Sequence, residues 1–101
     1  MKKVQTRQEI LNILRQYRLE LSQRFGVTDI AVFGSYARDR HHRRSDIDIL
    51  VDLEQTRKNF DNYMELKFFL QRHTGGTIDL VLKESLRNEL KPNILKEAVY
   101  A

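Results

Sequence analysis

Apolar residues near the N-terminus recur at the spacing of an amphipathic helix. The segment "TRQE" at residues 6–9 matches a capping box, with Thr6 as the N-cap and Glu9 reaching back to free N–H groups. Gly26 can adopt the left-handed conformation that ends a helix. The pattern therefore predicts a helix over residues 7–24. Its apolar side chains are Ile10, Ile13, Leu14, Tyr17 and Leu21.

Three short β-prone runs follow this helix, and turn residues separate them. Gly34-Ser35 ends the first run, and Gly75-Gly76 precedes the third. Residues 36–38 are predicted to form one turn of helix between the first two runs. The predicted strands are residues 28–33 ("TDIAVF"), 46–52 ("DIDILVD") and 77–82 ("TIDLVL").

Two further helices complete the predicted fold. Residues 59–73 return to helical spacing, and Pro92 can start a last short helix that runs through Val99. The element order α, β, short α, β, α, β, α predicts one α/β (α+β) domain over residues 1–101, with a small mixed sheet flanked by helices. The buried face of the helix at 59–73 is predicted to hold Phe60, Met64 (or Tyr63), Leu66 and Leu70.

The composition is that of a globular protein, with 41% hydrophobic and 32% charged residues. No apolar run approaches the roughly 18 residues of a membrane helix, so no membrane association is expected. The chain has no cysteine, which excludes disulfides and thiolate metal sites and fits a cytoplasmic location. The net charge of +4 is compatible with a polyanionic partner, but on charge alone a basicity that only keeps the protein soluble is the preferred interpretation.

Paired aspartates mark the second predicted strand. Side chains alternate across a strand, so Asp46 and Asp48 share one face, and Ile47, Ile49 and Val51 share the other. Asp79 stands between two apolar residues in the third run, and it faces the pair if the strands are neighbours. Such carboxylates suit a hard divalent cation such as Mg²⁺. The alternative is a strand that begins near solvent, with Asp79 acting as a cap or ion-pair partner.

The glycine-serine turn follows the first strand and precedes the predicted turn of helix. Gly34 permits close approach of a ligand to the backbone, and Ser35 offers a hydroxyl to an anion. The alternative is a plain strand-to-helix turn in which Ser35 is the N-cap.

Together these residues form the pattern G-S-x(10)-D-x-D followed by a lone aspartate, within "FGSYAR" and "SDIDILV". This combination resembles the DNA polymerase β-type nucleotidyltransferase superfamily, and in particular its minimal nucleotidyltransferases, which act as antitoxins of HEPN-domain toxins. The resemblance runs from about residue 10 to the closing "EAVYA". It implies the palm fold of that superfamily.

The resemblance also implies roles for individual residues. Gly34 and Ser35 would hold the β and γ phosphates of ATP. Asp46, Asp48 and Asp79 would bind two Mg²⁺ ions and carry the catalysis of nucleotidyl transfer.

Two neighbouring residues extend or depart from the family pattern. Arg38 matches the arginine of "GSYAR" and would support the phosphates or the loop. Asp39 stands where the family usually has glycine. If the backbone there needs positive φ, aspartate tolerates it better than most residues, at some cost.

The implied function is transfer of AMP from ATP to a hydroxyl, taken to be a tyrosine, on a partner HEPN toxin. A chain of this size is expected to lack an acceptor-binding domain, so the partner must bring the acceptor. One alternative is an antitoxin that neutralises by binding alone. Another is a free-standing transferase acting on a small molecule. Direct nucleic-acid binding is not expected, and a homo- or hetero-oligomer is left open.

Several residues outside the motif have open interpretations. The basic run at residues 38–44 either contacts phosphates, RNA or an acidic partner, or forms a solvated loop. His41 and His42 lack the spacing of zinc ligands, and His73 is expected to stabilise a helix C-terminus. One helix carries more aromatic residues than a single buried face needs, so one side meets a partner or is simply exposed. These residues are Tyr63, Phe68 and Phe69.

Overall fold

The computed structural model describes residues 3–101. None of the helices in this range has the length and apolarity needed to cross a membrane, and the longest has 15 residues. Two short 3₁₀ turns, Gln55–Arg57 and Lys83–Ser85, were not predicted from sequence. The helices and strands are α1 (Arg7–Gln16), α2 (Arg18–Phe25), β1 (Val27–Phe33), α3 (Gly34–Ala37), β2 (Ile47–Leu53), α4 (Phe60–Thr74), β3 (Ile78–Leu82), α5 (Lys91–Glu97) and β4 (Val99–Tyr100).

The strands form one mixed sheet in the order β3-β2-β1-β4. β2 and β3 are parallel, whereas β1 is antiparallel to both β2 and β4. Apolar side chains on one face pack against α1, α2 and α4 in the main core. A smaller cluster of Ala31, Phe33 and Leu50 on the other face is covered in part by α5. The predicted mixed α/β fold with a small flanked sheet is confirmed.

The N-terminal helix is capped as predicted but is not continuous. The Thr6 side chain accepts a hydrogen bond from the N–H of Glu9, while the Glu9 carboxylate accepts one from the N–H of Gln5. Tyr17 interrupts the helix with φ −101° and ψ 16°, and its ring packs edge-on against Phe69 with centroids 5.4 Å apart. The predicted single helix is therefore two helices with a break at Tyr17.

The buried face of α4 differs in part from its prediction. Leu66 and Leu70 are buried as expected, but Phe60 is 74% exposed, and Met64 and Tyr63 are only partly buried. The inward position near the start of the helix belongs to Asn62, whose amide donates to the carbonyl oxygens of Phe25 and Arg57. These bonds satisfy a polar group inside the fold, which the apolar pattern could not reveal. Phe69 and Thr74 complete the buried set.

The predicted continuation of the last helix through Val99 is wrong. Pro92 lies in the first turn of α5 as expected, but the helix ends at Glu97 and Ala98 is extended, with φ −63° and ψ 135°. Val99 and Tyr100 then pair with β1 as β4. This pairing satisfies backbone groups on the outer edge of β1, a gain that outweighs one more helical turn.

Candidate active site

Strand pairing brings two of the three predicted carboxylates side by side. Asp48 of β2 is in register with Asp79 of β3, and Asp48 also pairs with Phe33 at the end of β1. Both aspartates lie on the sheet face opposite the buried side chains of Ile47 and Ile49. Asp46 directly precedes β2 and is exposed. The structure thus places Asp48 between Asp79 and the end of β1.

Gly34 lies directly against the Asp48 carboxylate. A Cβ added at Gly34 would overlap Oδ2 of Asp48, and Gly34 also has φ of +71°. Both the space and the backbone conformation therefore require glycine. Phe33, with no side-chain cap, is the N-cap of α3, and Ser35 lies inside its first turn. Ser35 is consequently not the simple helix N-cap of the alternative interpretation.

The electrostatics around Asp48 favour a bound cation. Burial is the main cause that raises the pKa of Asp48 to about 6, and the nearby Asp79 and Asp46 carboxylates raise it further. A hydrogen bond between the Asp48 and Asp79 side chains acts in the same direction. Like charges that share a site disfavour ionisation unless positive charge is supplied.

Arg38 supplies only part of that positive charge. The Arg38 guanidinium has the smallest effect on the pKa of Asp48, which it lowers. Its Nη1 lies 2.8 Å from Oε2 of Glu97 in α5, so the arginine links the site loop to the C-terminal helix. This ion pair favours a role for Arg38 in the loop.

Asp39, which stands where the family usually has glycine, adopts a backbone conformation that glycine favours. Its φ is +59°, the only positive value at a non-glycine residue within residues 3–101. Aspartate is among the residues that tolerate this region, at a cost that glycine does not bear. The condition considered from the sequence, a backbone that needs positive φ at residue 39, is therefore met.

The loop between α3 and β2 is held by the N-terminal segment, a contact that sequence reasoning missed. The Lys3 ammonium donates to the carbonyl oxygens of Arg43 and Ser45, each at 2.9 Å. The His41 ring stacks on Tyr36 with centroids 3.8 Å apart, and its Nε2 lies 2.5 Å from the carbonyl oxygen of Gln5. Lys3 thus fixes the residues just before Asp46, and no local pattern marks a lysine so far away in sequence.

His41 and His73 both have structural contacts. His41 is occupied by stacking on Tyr36 and by its contact with the Gln5 carbonyl oxygen. His73 lies in the last turn of α4 and packs against the rings of Tyr17 and Phe69, with centroids 4.2 and 4.4 Å apart. The position of His73 agrees with its expected place at a helix C-terminus.

The carboxylate oxygens are suitable donor atoms for a hard divalent cation. Within residues 3–101, no group of three or more histidine, cysteine, aspartate or glutamate side chains is arranged as a preformed metal cage. Asp48 and Asp79 nevertheless offer adjacent carboxylate oxygens, and Asp46 lies next to them in sequence. Mg²⁺ is commonly bound by one or two carboxylates together with substrate phosphates, and this arrangement suits that mode.

The fold and the site define a class of protein. Residues 14–101 match the family model described as a nucleotidyltransferase domain. The chain therefore belongs to the nucleotidyltransferase family, as its Gly-Ser turn and paired aspartates suggested.

Individual similar proteins indicate a narrower group within the nucleotidyltransferase family. The chain is 42% identical over 95 residues to the protein adenylyltransferase MntA of Thermococcus cleftensis, covering 94% of this chain and 95% of that protein. A solved minimal nucleotidyltransferase structure superposes with a TM-score of 0.80 at 32% identity, covering 97% of this chain and 98% of that chain. A toxin–antitoxin crystal structure with AMP-PNP matches with a TM-score of 0.67 at 26% identity, covering 95% of this chain and 72% of that chain.

Proposed function

We propose that this protein is a Mg²⁺-dependent protein adenylyltransferase that transfers AMP from ATP to a tyrosine hydroxyl of a HEPN-domain toxin, and so acts as its antitoxin. The observation that carries the proposal is the position of Asp48, in register with Asp79 and pressed against Gly34. This contact between a carboxylate pair and a turn suited to phosphate supports a metal-binding role for the pair.

Each motif residue has a part in the proposed reaction. Gly34 and Ser35 hold the β and γ phosphates, because the glycine allows the backbone to approach them closely. Asp46, Asp48 and Asp79 would hold Mg²⁺. When bound, Mg²⁺ neutralises charge on the triphosphate and favours ionisation of the acceptor hydroxyl.

The bond changes are those of an in-line displacement. The acceptor hydroxyl loses its proton towards Asp79, and its oxygen forms a bond to the α-phosphorus of ATP. The bond from that phosphorus to the bridging oxygen breaks, and pyrophosphate leaves. The product is an AMP-tyrosine ester, which adds bulk and negative charge to the acceptor surface.

The similar proteins support the nucleotide and the partner in this proposal. The Thermococcus cleftensis relative is a protein adenylyltransferase, and the matched toxin–antitoxin structure contains AMP-PNP, an ATP analogue. The HEPN class of the toxin and the tyrosine acceptor rest on the family resemblance of the motif. The resemblance also implies that the toxin has a ribonuclease-like site, and the negative charge of an AMP group beside it would block RNA binding by repulsion.

A transfer assay with a matched pair of variants tests this function. Purified protein, α-labelled ATP, Mg²⁺ and the candidate toxin are combined, and label on the toxin is measured. Asp48→Asn should reduce transfer by at least about 100-fold, because it removes a metal ligand. Asp52→Asn, at the far end of the same strand where Asp52 pairs with Lys58, is the control and should retain transfer. Full transfer by Asp48→Asn would refute the assignment of the carboxylates.

Neutralisation by binding alone is the second candidate. It is favoured by the Arg38–Glu97 ion pair, which directs the motif arginine away from a free phosphate-binding role. Toxin neutralisation in cells distinguishes the two. If Asp48→Asn still protects cells fully while transferring no label, the antitoxin acts by binding; if protection is lost with transfer, it acts by modification.

A further inference from the structure

A shallow groove of about 770 Å³ opens beside Asp46. One wall is the loop at residues 43–46, and the other is formed by the end of α4 with Gly75 and Gly76. Gly34, Ser35 and Asp48 do not line it. The groove therefore meets the candidate site only at Asp46, and the Gly-Ser turn proposed for the triphosphate lies outside it.

The groove carries uncompensated positive charge. Lys3, Arg43, Arg44 and Arg72 line it, against the single carboxylate of Asp46. The three arginines are exposed, and none of them takes part in the ion pairs found within residues 3–101. Cations gathered in a concave surface strengthen the local field and attract an anionic partner.

Lys3 gives the groove a fixed wall. Its ammonium bonds the carbonyl oxygens of Arg43 and Ser45, so it holds the backbone from which Arg43 and Arg44 project. Its stem lies over Gly76, where an added Cβ would come 3.0 Å from Cε of Lys3. A surface that is organised before binding pays less entropy when its ligand arrives.

The lining chemistry favours a polypeptide carrying carboxylates over a nucleic acid. No aromatic ring lines the groove, whereas sites for single-stranded nucleic acid stack bases on aromatic side chains. Guanidinium groups form paired hydrogen bonds with carboxylates.

We propose that this groove binds an Asp- and Glu-rich segment of the acceptor protein, next to the hydroxyl that receives AMP. This inference rests on the proposed function and names a recognition element for its second substrate. It places the acceptor on the Asp46 side of the carboxylates and ATP on the Gly34 side. Acceptor choice is then set by charge as well as by the position of the hydroxyl.

Direct binding of a model peptide tests the groove without requiring catalysis. The probe is a fluorescent peptide of alternating glutamate and glycine with a central tyrosine, and its glutamine counterpart is the neutral control. Fluorescence anisotropy is measured in low salt, where charge attraction is least screened. The wild-type protein should bind the acidic peptide, and Arg44→Gln/Arg72→Gln should bind it about tenfold more weakly.

A control variant with the same change in charge separates the groove from net basicity. Arg15 and Arg18 lie on α1 and α2, outside the groove, and both are exposed. Arg15→Gln/Arg18→Gln should bind the acidic peptide like the wild type. Equal weakening by the two double variants would overturn the proposal, as would tighter competition by single-stranded RNA than by the peptide. Circular dichroism and thermal midpoints confirm that all variants fold.

Transfer kinetics then distinguish failure of the groove from failure of the proposed function. In the groove variant, KM for the toxin should rise about tenfold, while binding of a fluorescent ATP analogue stays unchanged. A parallel loss of ATP affinity would assign the groove to the triphosphate and overturn the inference. Unchanged KM with active transfer would refute the groove alone. Charge-dependent peptide binding without any transfer would refute only the adenylyltransferase function.

Discussion

The two faces of the central sheet carry side chains with opposite effects on stability, although the same strands form both faces. On the core face, Ile47, Ile49 and Val51 are almost completely buried against the helices. On the opposite face of β2, Asp48 faces another carboxylate with burial that raises its pKa. Packing accounts for the first face, whereas the second combines a smaller packed cluster around Leu50 with a carboxylate that is held at a cost to stability. Such a local conflict is expected where a site serves a ligand.

The largest predicted change in stability should come from a cavity made in the core face of the sheet. Ile49→Ala removes a fully buried side chain and leaves a cavity, so the free energy of unfolding should fall by about 2–5 kcal/mol. Denaturant unfolding measures this change. Transfer activity per folded molecule should be retained in conditions where the variant remains folded. A loss below about 1 kcal/mol would mean that the core around Ile49 collapses to fill the space.

Substitution of the neighbouring residue, Asp48, should instead raise the free energy of unfolding. Because the folded-state pKa of Asp48 is about 6, against the ordinary 3.8, the folded protein holds its proton more tightly than the unfolded chain. This contribution to stability is fully present below pH 3.8 and is lost as pH rises through about 6. Asp48→Asn removes the ionisation, so it should stabilise the metal-free protein by about 1–2 kcal/mol at pH 7, allowing for solvent screening.

The pH dependence of the free energy of unfolding tests the predicted stabilisation by Asp48→Asn. Unfolding is measured in chelator at pH 4 and pH 7 for the wild type and for Asp48→Asn. The gain from the substitution should shrink as pH falls from 7 to 4. Asp52→Asn, which weakens an ion pair with Lys58, is the control and should not stabilise the protein. Equal stability of wild type and Asp48→Asn at pH 7 would show that the two faces do not differ in this way.

The smallest effect concerns the strained residue beside the site. Asp39→Gly relieves positive φ at a non-glycine residue, and should raise the free energy of unfolding by about 0.5–1 kcal/mol. Thermal unfolding at fixed pH and salt measures it. Asp39→Ala is the matched control, since it removes the same charge but keeps the strain, and it should not stabilise. Stabilisation by alanine as well would trace the effect to charge.

The contrast between the two faces also explains what sequence could predict. Alternation at the start of "DIDILVD" was enough to separate Asp48 from Ile49, because the period of a strand is local. The register that places Asp79 beside Asp48 was only conditional, since it depends on which strands become neighbours. The buried position of Asn62 was overlooked, and Val99 was wrongly assigned to a helix, for the same reason. Their positions are determined by carbonyl groups and a strand edge that come from distant parts of the chain.

The N-terminal segment has a consequence for when the site can form during synthesis. The N–H of Val4 bonds the carbonyl oxygen of Thr74 at 2.8 Å, and Lys3 rests over Gly76. Lys3 and Val4 can therefore make these contacts only after residues 74–76 have been synthesised. Contacts so distant in sequence form late, after local helices and turns. The loop that carries Asp46 is anchored by Lys3 in its final position only after residues 74–76 have emerged, so a nascent chain that ends before them lacks a finished site.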